Sequence, residues 1–126
     1  MLPAPPPCVL VVDDDPALLG ALTFALEAEG YRVCSCADAA AALRAPADQF
    51  DCLVIDYRLP DLDGMELGQR LRGVGVTAPM ILITSNPDAR CRARAARSGA
   101  VIVEKPLLGD RLLRQIRALT PPALTP

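Results

Sequence analysis

The chain has 126 residues, a length typical of one globular domain, and a formal net charge of −2. Apolar residues make up 52% of it, which excludes an intrinsically disordered chain, while no apolar run is long enough to span a bilayer. Histidine is absent, which excludes histidine phosphotransfer on this chain and catalysis by a serine–histidine or cysteine–histidine pair.

The first segment, residues 1–7, is rich in proline. Because it lacks a basic start and a long apolar core, we interpret it as a disordered leader and not as a secretion signal. The chain has five cysteines, without a C-x-x-C pair, and most lie in apolar segments. We therefore predict small buried thiols in a reducing cytoplasm, with Cys91, on a basic helix, as the one candidate reactive thiol.

Five short apolar or alternating segments predict β-strands, and each is followed by a segment with helical periodicity. The predicted strands cover about 8–13, 31–36, 51–56, 79–84 and 100–104. The predicted helices cover about 16–29, 39–45, 65–73, 87–98 and 108–118.

Capping residues support these helices. Asp15-Pro16 and Asn86-Pro87 each combine an N-cap residue with a proline at the first helical position, and Asp38 is a third cap. Gly30 and Gly99 follow the last helical residues, where glycine commonly ends a helix.

The alternation of strand and helix predicts an α/β domain with a parallel sheet covered on both faces. Right-handed crossovers and one reversal of strand order favour a single doubly wound, flavodoxin-like (βα)5 fold with the order 2-1-3-4-5. We assign residues 8–118 to this domain, and residues 119–126 to a proline-rich tail or the stub of a linker.

Polar side chains follow four of the predicted strands. Asp13 and Asp14 follow the first strand, Asp56 ends the third, Thr84 ends the fourth and Lys105 follows the fifth. Ligand sites in open α/β sheets lie outside the carboxyl ends of the strands, so these side chains are expected at one edge. Clustered carboxylates repel one another and call for a divalent cation, and the hydroxyl and ammonium beside them suit a phosphoryl group.

The segment from Asp56 to Gly64 has the pattern D-x-x-x-P-x-x-D-G. Together with the early aspartate pair, Thr84 and Lys105-Pro106, it strongly resembles the receiver domain of two-component response regulators, over residues 8–118. The resemblance implies a phosphoacceptor at Asp56, which would take its phosphoryl group from a histidine kinase or a histidine phosphotransfer protein.

The resemblance also implies how the other residues act. Asp14 would bind Mg²⁺ (or Mn²⁺) directly, Asp13 would hold it largely through water, and the backbone carbonyl of Arg58 would be a further ligand. Thr84 and Lys105 would contact the phosphoryl oxygens, and the peptide before Pro106 would be cis. Asp15 remains a helix cap in this interpretation, and Asp63-Gly64 is a turn.

The chain departs from the family pattern at Ile102, where the family often has an aromatic residue that acts as a rotating switch. Phosphorylation should survive this change, but coupling between Thr84 and an aromatic ring cannot operate. Arg58 and Asn86, two residues after the acceptor and the threonine, occupy positions that influence dephosphorylation in the family, so they are expected to bear on signal lifetime.

Residues 86–117 are basic, with eight basic and three acidic side chains, a charge of +5 against −7 for the rest of the chain. Arg90, Arg94 and Arg97 share one helical stripe, near Ile102. This stripe is either a solvated face or a docking face for an acidic partner or a dimer mate. Direct binding of nucleic acid through this domain is not expected, nor is membrane binding.

Three functions stay open from the sequence. The first is a phosphorylated switch without an output domain, which controls partner binding through the loop after the fourth strand and the helix that follows it. The second is the receiver half of a longer DNA-binding regulator. The third is a Mg²⁺-dependent phosphatase of the haloacid-dehalogenase type, although Asp56-Tyr57-Arg58 stands where such enzymes have Asp-x-Asp.

Overall fold

Five parallel strands form one sheet in a computed structural model that describes residues 5–107 and 109–122. The strands are β1 (Cys8–Val12), β2 (Arg32–Cys36), β3 (Cys52–Asp56), β4 (Met80–Thr84) and β5 (Val101–Glu104). Their order is β2-β1-β3-β4-β5, with every neighbouring pair parallel, so the predicted doubly wound topology is confirmed.

Helices cover both faces of the sheet. They are α1 (Pro16–Ala28), α2 (Ala39–Arg44), α3 (Gly64–Gly73), α4 (Ala89–Ser98) and α5 (Arg111–Leu119), and a short 3-10 turn that the sequence did not predict spans Ala47–Gln49. Side chains of α1 and α5 pack on one face of the central strands, and those of α2, α3 and α4 pack on the other. Residues of the central strands alternate between these two aliphatic cores, which is why β1, β3 and β4 are apolar along almost their whole length.

Most predicted helix ends agree with the structure. The Asp15 carboxylate accepts from the backbone N–H groups of Ala17 and Leu18, and the Asp38 carboxylate accepts from Ala41. Gly99 ends α4 in the left-handed conformation, with φ of 72°.

The predicted start of α4 at Asn86-Pro87 was wrong. Asn86 lies in the loop with φ of 47°, and Asp88 is the cap, accepting from the Cys91 N–H at 2.8 Å. The sequence offers two capping side chains in succession. The left-handed backbone conformation of Asn86 does not fit the start of a helix, so the helix begins after the second of these two capping residues.

Two pairs of hydrogen bonds hold the ends of the described chain against the sheet. The carbonyls of Pro6 and Pro7 accept hydrogen bonds from Arg32, both at 2.9 Å. At the other end the Thr120 carbonyl accepts from the Tyr31 hydroxyl at 2.6 Å. The Thr120 hydroxyl donates to the Asp51 carbonyl. The predictions for residues 1–4, for residue 108 at the predicted start of the last helix, and for residues 123–126 lie outside the described residues. Within the described ranges, no helix has the length and apolar character needed to cross a membrane.

Candidate functional site

Three carboxylates meet at the carboxyl ends of β1 and β3. The two strands are hydrogen-bonded neighbours, with Val12 beside Ile55, so the residues that follow them emerge side by side. One carboxylate oxygen from each of Asp13, Asp14 and Asp56 lies within 4.8 Å of the others. The cluster predicted from the strand ends therefore exists, and its oxygens are spaced closely enough to bind one cation.

Asp13 is the most enclosed of the three, with no exposed surface. Its Oδ1 accepts from the Asp15 N–H at 2.9 Å, but among the described residues its Oδ2 has no hydrogen-bond partner. Burial is the main reason that the pKa of Asp13 is raised, and the nearby charge of Asp56 raises it further, against the opposing effects of the Asp15 N–H and Lys105. A buried carboxylate oxygen without a hydrogen bond fits a ligand for a hard cation such as Mg²⁺.

Lys105 joins two of these carboxylates. Its Nζ lies 3.1 Å from Oδ2 of Asp56 and 3.4 Å from Oδ2 of Asp13. Burial disfavours the charged ammonium, but the hydrogen bond and charge of Asp56, together with Asp13, outweigh it, so the pKa of Lys105 is raised. The amine is therefore held cationic beside the Asp56 carboxylate. The peptide between Lys105 and Pro106 is cis, as the resemblance implied.

Thr84 reaches the same edge of the sheet, but among the described residues its hydroxyl makes no hydrogen bond to the carboxylates. Its backbone carbonyl accepts from the Lys105 N–H at 2.9 Å, and its buried hydroxyl donates to the Ser85 carbonyl at 3.3 Å. The hydroxyl must therefore turn before it can contact a group on Asp56.

The two residues expected to bear on signal lifetime both lie at the rim of the site. The Arg58 side chain is exposed, while its backbone N–H donates to Oδ1 of Asp56 at 3.1 Å. Asn86 is exposed on the loop after β4. A shallow cleft beside Lys105 is lined by Asp15, Leu18, Ser85, Asn86, Lys105, Pro106 and Leu107.

Gly64 has a packing role that the sequence interpretation missed. A β-carbon at this position would overlap the backbone carbonyl oxygen of Asp56, and the Gly64 N–H donates to the carbonyl of Tyr57 at 2.8 Å. The Asp63-Gly64 pair was interpreted as a turn, and Asp63 does cap α3 through the Glu66 N–H at 2.8 Å. The glycine has a second role, because it lets α3 begin directly against the backbone of Asp56.

Asp61 was also missed. Its two carboxylate oxygens accept from the N–H groups of Ala39 and Ala40, each at 3.0 Å. The loop after β3 thereby caps the start of α2, in addition to the local cap from Asp38. The only sequence signal was an acidic residue between Pro60 and Asp63, which does not reveal a partner in another element.

The predicted arginine stripe is divided in the structure. Arg90 and Arg97 are exposed, but Arg94 is half-buried and its guanidinium contacts Asp63 and Tyr57. Ile102 is half-buried and packs against the core beneath α4. Arg94 therefore serves an intramolecular contact, and Arg90 and Arg97 are the exposed arginines of the stripe.

Cys91 was singled out as the one candidate reactive thiol, and its position in the structure does not support reactivity. Its side chain faces the core and is 2% exposed, and burial is the main cause of its raised pKa. The helix bears basic residues on its outer side, but Cys91 is on its inner side. A buried thiol with a raised pKa is a poor nucleophile.

Comparisons with known proteins agree with this geometry. The family model described as "Response regulator receiver domain" matches residues 9–117. The chain is 38% identical over 112 residues to the transcriptional regulatory protein FixJ of Bradyrhizobium diazoefficiens, covering 87% of this chain and 55% of FixJ. It is also 38% identical over 112 residues to the transcriptional regulatory protein KdpE of Mycobacterium tuberculosis, covering 87% of this chain and 49% of KdpE. The chain thus spans about half the length of these two relatives.

Among solved structures, the chemotaxis protein CheY4 of Vibrio cholerae has a similar fold. The TM-score is 0.82 at 25% sequence identity, and the match covers 90% of this chain and 98% of CheY4. The similarity includes the complete βα alternation, since it extends over nearly the whole of both chains.

Proposed function

The chain belongs to the response regulator receiver domain family, and on that premise we propose that it accepts a phosphoryl group on Asp56. The donor would be a histidine kinase or a histidine phosphotransfer protein. The observation that carries the proposal is the position of Lys105, whose ammonium bridges Asp56 and Asp13 at the carboxyl ends of the strands. A carboxylate held beside a fixed cation and two further carboxylates is suited to covalent phosphoryl transfer.

Asp13, Asp14 and Asp56, with the backbone carbonyl of Arg58, would hold Mg²⁺ (or Mn²⁺). The buried Oδ2 of Asp13, which has the Lys105 ion pair at 3.4 Å but no hydrogen bond among the described residues, supports this assignment. When bound, the cation would neutralise charge on the transferring phosphoryl oxygens.

The side chains of the site would each have a separate role in the phosphoryl transfer. The Asp56 carboxylate would attack phosphorus, forming an O–P bond while the P–N bond of the phosphohistidine donor breaks. Lys105 would contact one phosphoryl oxygen from its present position. Thr84 would contact another after its hydroxyl leaves the Ser85 carbonyl. In this role the domain catalyses only its own phosphorylation and dephosphorylation, and Arg58 and Asn86 would influence how long the phosphoryl group persists.

The output surface would be the loop after β4 together with α4. Thr84 ends β4 and α4 begins five residues later at Ala89, so a displacement of Thr84 acts directly on the start of this helix. The exposed Arg90 and Arg97 would contact an acidic partner or a dimer mate. We assign no nucleic-acid or membrane contact to this domain. Its five free cysteines support a reducing compartment, the cytoplasm.

A second proposal is that this receiver acts within a longer transcriptional regulator. It is supported by the match to FixJ and KdpE, both described as transcriptional regulatory proteins, over about half of their length. The reading frame of the gene would decide between an isolated receiver and a longer regulator.

The phosphoacceptor assignment is tested by incubating the protein with Mg²⁺ and an acyl-phosphate donor. Intact mass should show one added phosphoryl group that is labile to base, and Asp56→Asn should not acquire it. Asp51→Asn is the matched control, because Asp51 begins the same segment at the opposite edge of the sheet and should leave labelling unchanged. Equal labelling of the parent and Asp56→Asn would refute the assignment.

A further inference from the structure

Arg94 links α4 to the segment that follows the phosphoacceptor. Its Nη1 donates to the Tyr57 hydroxyl at 3.1 Å, and its Nη2 lies 3.2 and 3.3 Å from the two carboxylate oxygens of Asp63. The guanidinium carbon is 5.8 Å from the centre of the Tyr57 ring. We call Tyr57, Asp63 and Arg94 the Arg94 cluster.

The Arg94 cluster differs from the other surface ion pairs. The Arg94 side chain is 19% exposed, whereas Arg92, which pairs with Glu104, is 57% exposed. Exposed pairs contribute little to stability because water and salt screen them. The Arg94 guanidinium instead lies between Asp63, which is 39% exposed, and the hydroxyl and ring of Tyr57, so its contacts are screened less than those of Arg92.

Among the described residues, helix α4 buries few apolar side chains. Its buried residues are Cys91 and Ala95, both small, while α3 buries Met65, Leu67 and Leu71. A helix with so little apolar burial has low local stability, and polar contacts make up a larger share of what positions it. The Arg94 cluster is therefore a major restraint on α4.

The cluster is also placed to respond to the acceptor. Tyr57 directly follows Asp56, and its N–H donates to the carbonyl of Ile83, the residue before Thr84, at 2.8 Å. The Tyr57 carbonyl accepts from Gly64, next to Asp63. If Thr84 is displaced toward Asp56, either the loop residues 85–88 change conformation or α4 moves. The Arg94 cluster opposes the movement of α4.

We propose that the Arg94 cluster is a restraint that holds α4 in its unphosphorylated position, and that receiver activation requires it to be released. This inference rests on the proposed phosphorylation of Asp56. Arg94 acts here as a positioning residue, since it contacts neither Asp56 nor Lys105 among the contacts described. Because release costs free energy, the intact cluster lowers the affinity of the domain for a phosphoryl group or its analogue.

The test measures the affinity for beryllofluoride, with Mg²⁺, in the parent and in two variants. Asp63→Asn removes the charge on Asp63 but keeps an oxygen that can cap α3, and Arg94→Gln removes the guanidinium. Each variant should bind beryllofluoride about fivefold more tightly than the parent, at the lower end of typical coupling between sites. The double variant should gain no more than either single one, because both changes break the same contact.

Arg92→Gln is the control, since it removes one exposed positive charge, paired with Glu104, from the same helix and should leave the affinity unchanged. Amide exchange of residues 92–98, measured in parallel, reports whether α4 is loosened. If that exchange accelerates while both variants bind beryllofluoride no more tightly than the parent, the cluster is only structural and the inference falls. If the parent does not bind beryllofluoride, or binds it with the same affinity as Asp56→Asn, the proposed function itself is wrong and the inference fails with it.

Discussion

The α-carbon of Gly64 lies against the backbone carbonyl of Asp56 so closely that a β-carbon there would overlap the carbonyl oxygen. The contact joins the first residue of α3 to the last residue of β3. It leaves the acceptor backbone no room to shift toward α3, so the orientation of the Asp56 carboxylate depends on a glycine eight positions away.

Gly64→Ala should therefore displace Asp56. We expect a loss of about 1–3 kcal/mol in the free energy of unfolding, typical of overpacking, together with slower phosphorylation by an acyl phosphate. Gly73→Ala is the control within the same helix, because a β-carbon there meets nothing within 4 Å. That change should be neutral or stabilise by up to about 1 kcal/mol. Denaturant titration and labelling rates measure both effects, and equal behaviour of the two variants would contradict the steric argument.

Mg²⁺ should stabilise the folded protein by binding Asp13, Asp14 and Asp56. At a concentration of one hundred times Kd, the expected gain is about 2.7 kcal/mol, seen as a higher melting temperature. Asp14→Asn should weaken this response and, by removing repulsion, should not destabilise the metal-free protein. Asp15→Asn is the matched control, since it removes the neighbouring charge but keeps a good helix cap. If the melting temperature of the parent does not change over a wide Mg²⁺ titration, the proposed metal site is wrong.

Thr84 should be needed for transmission but not for phosphorylation. With beryllofluoride and Mg²⁺, amide shifts in the parent should spread from Asp56 through residues 84–98. Thr84→Ala should shrink the shifts in 88–98, because it lacks the hydroxyl that would be drawn to the phosphoryl group, whereas Thr84→Ser should largely retain them. A response confined to residues 15–30 in the parent would place the output surface on the opposite face.

Asp61 should stabilise α2 from a distance. Asp61→Ala should lower the melting temperature and accelerate amide exchange in residues 39–44, and Asp61→Asn should have a smaller effect because it retains one acceptor oxygen. The hydrogen bond from Ala39 is the main cause of the lowered pKa of Asp61, whose ordinary value is 3.8. The stabilisation is therefore complete above that pH and is lost as the pH falls through the lower folded-state value. Thermal scans of the parent and Asp61→Ala should converge in strong acid; a constant difference would show that the carboxylate charge is irrelevant.

Buried thiols should make the protein sensitive to alkali. Burial raises the pKa of Cys52 from 9.0 to about 11, so the folded state keeps this proton where the unfolded chain loses it. The free energy of unfolding should consequently fall as the pH rises from about 9 toward 11. Cys52→Ala should be less stable at neutral pH because of the cavity, yet show a shallower decline over that range. Parallel declines in the two proteins, measured by denaturant titration at several pH values, would rule out a contribution from Cys52.

The sequence alone determined the sheet and the residues at its functional edge. Apolar runs predicted the strands, and Asp13, Asp56 and Lys105 were predicted to converge because parallel strands bring their carboxyl ends to one edge. The local caps at Asp15 and Asp38 were equally predictable, since a cap and its N–H partners lie within one turn.

Only the tertiary structure decided the contacts between elements. Asp61 caps a helix more than twenty residues earlier in the chain. Arg94, which was predicted on a basic surface, forms an ion pair with Asp63. Gly64 packs against the Asp56 carbonyl. Periodicity assigns a residue to a face of its own helix or strand. It carries no information on which side chain of another element is opposite, because that depends on the packing distances and rotations adopted when the elements assemble.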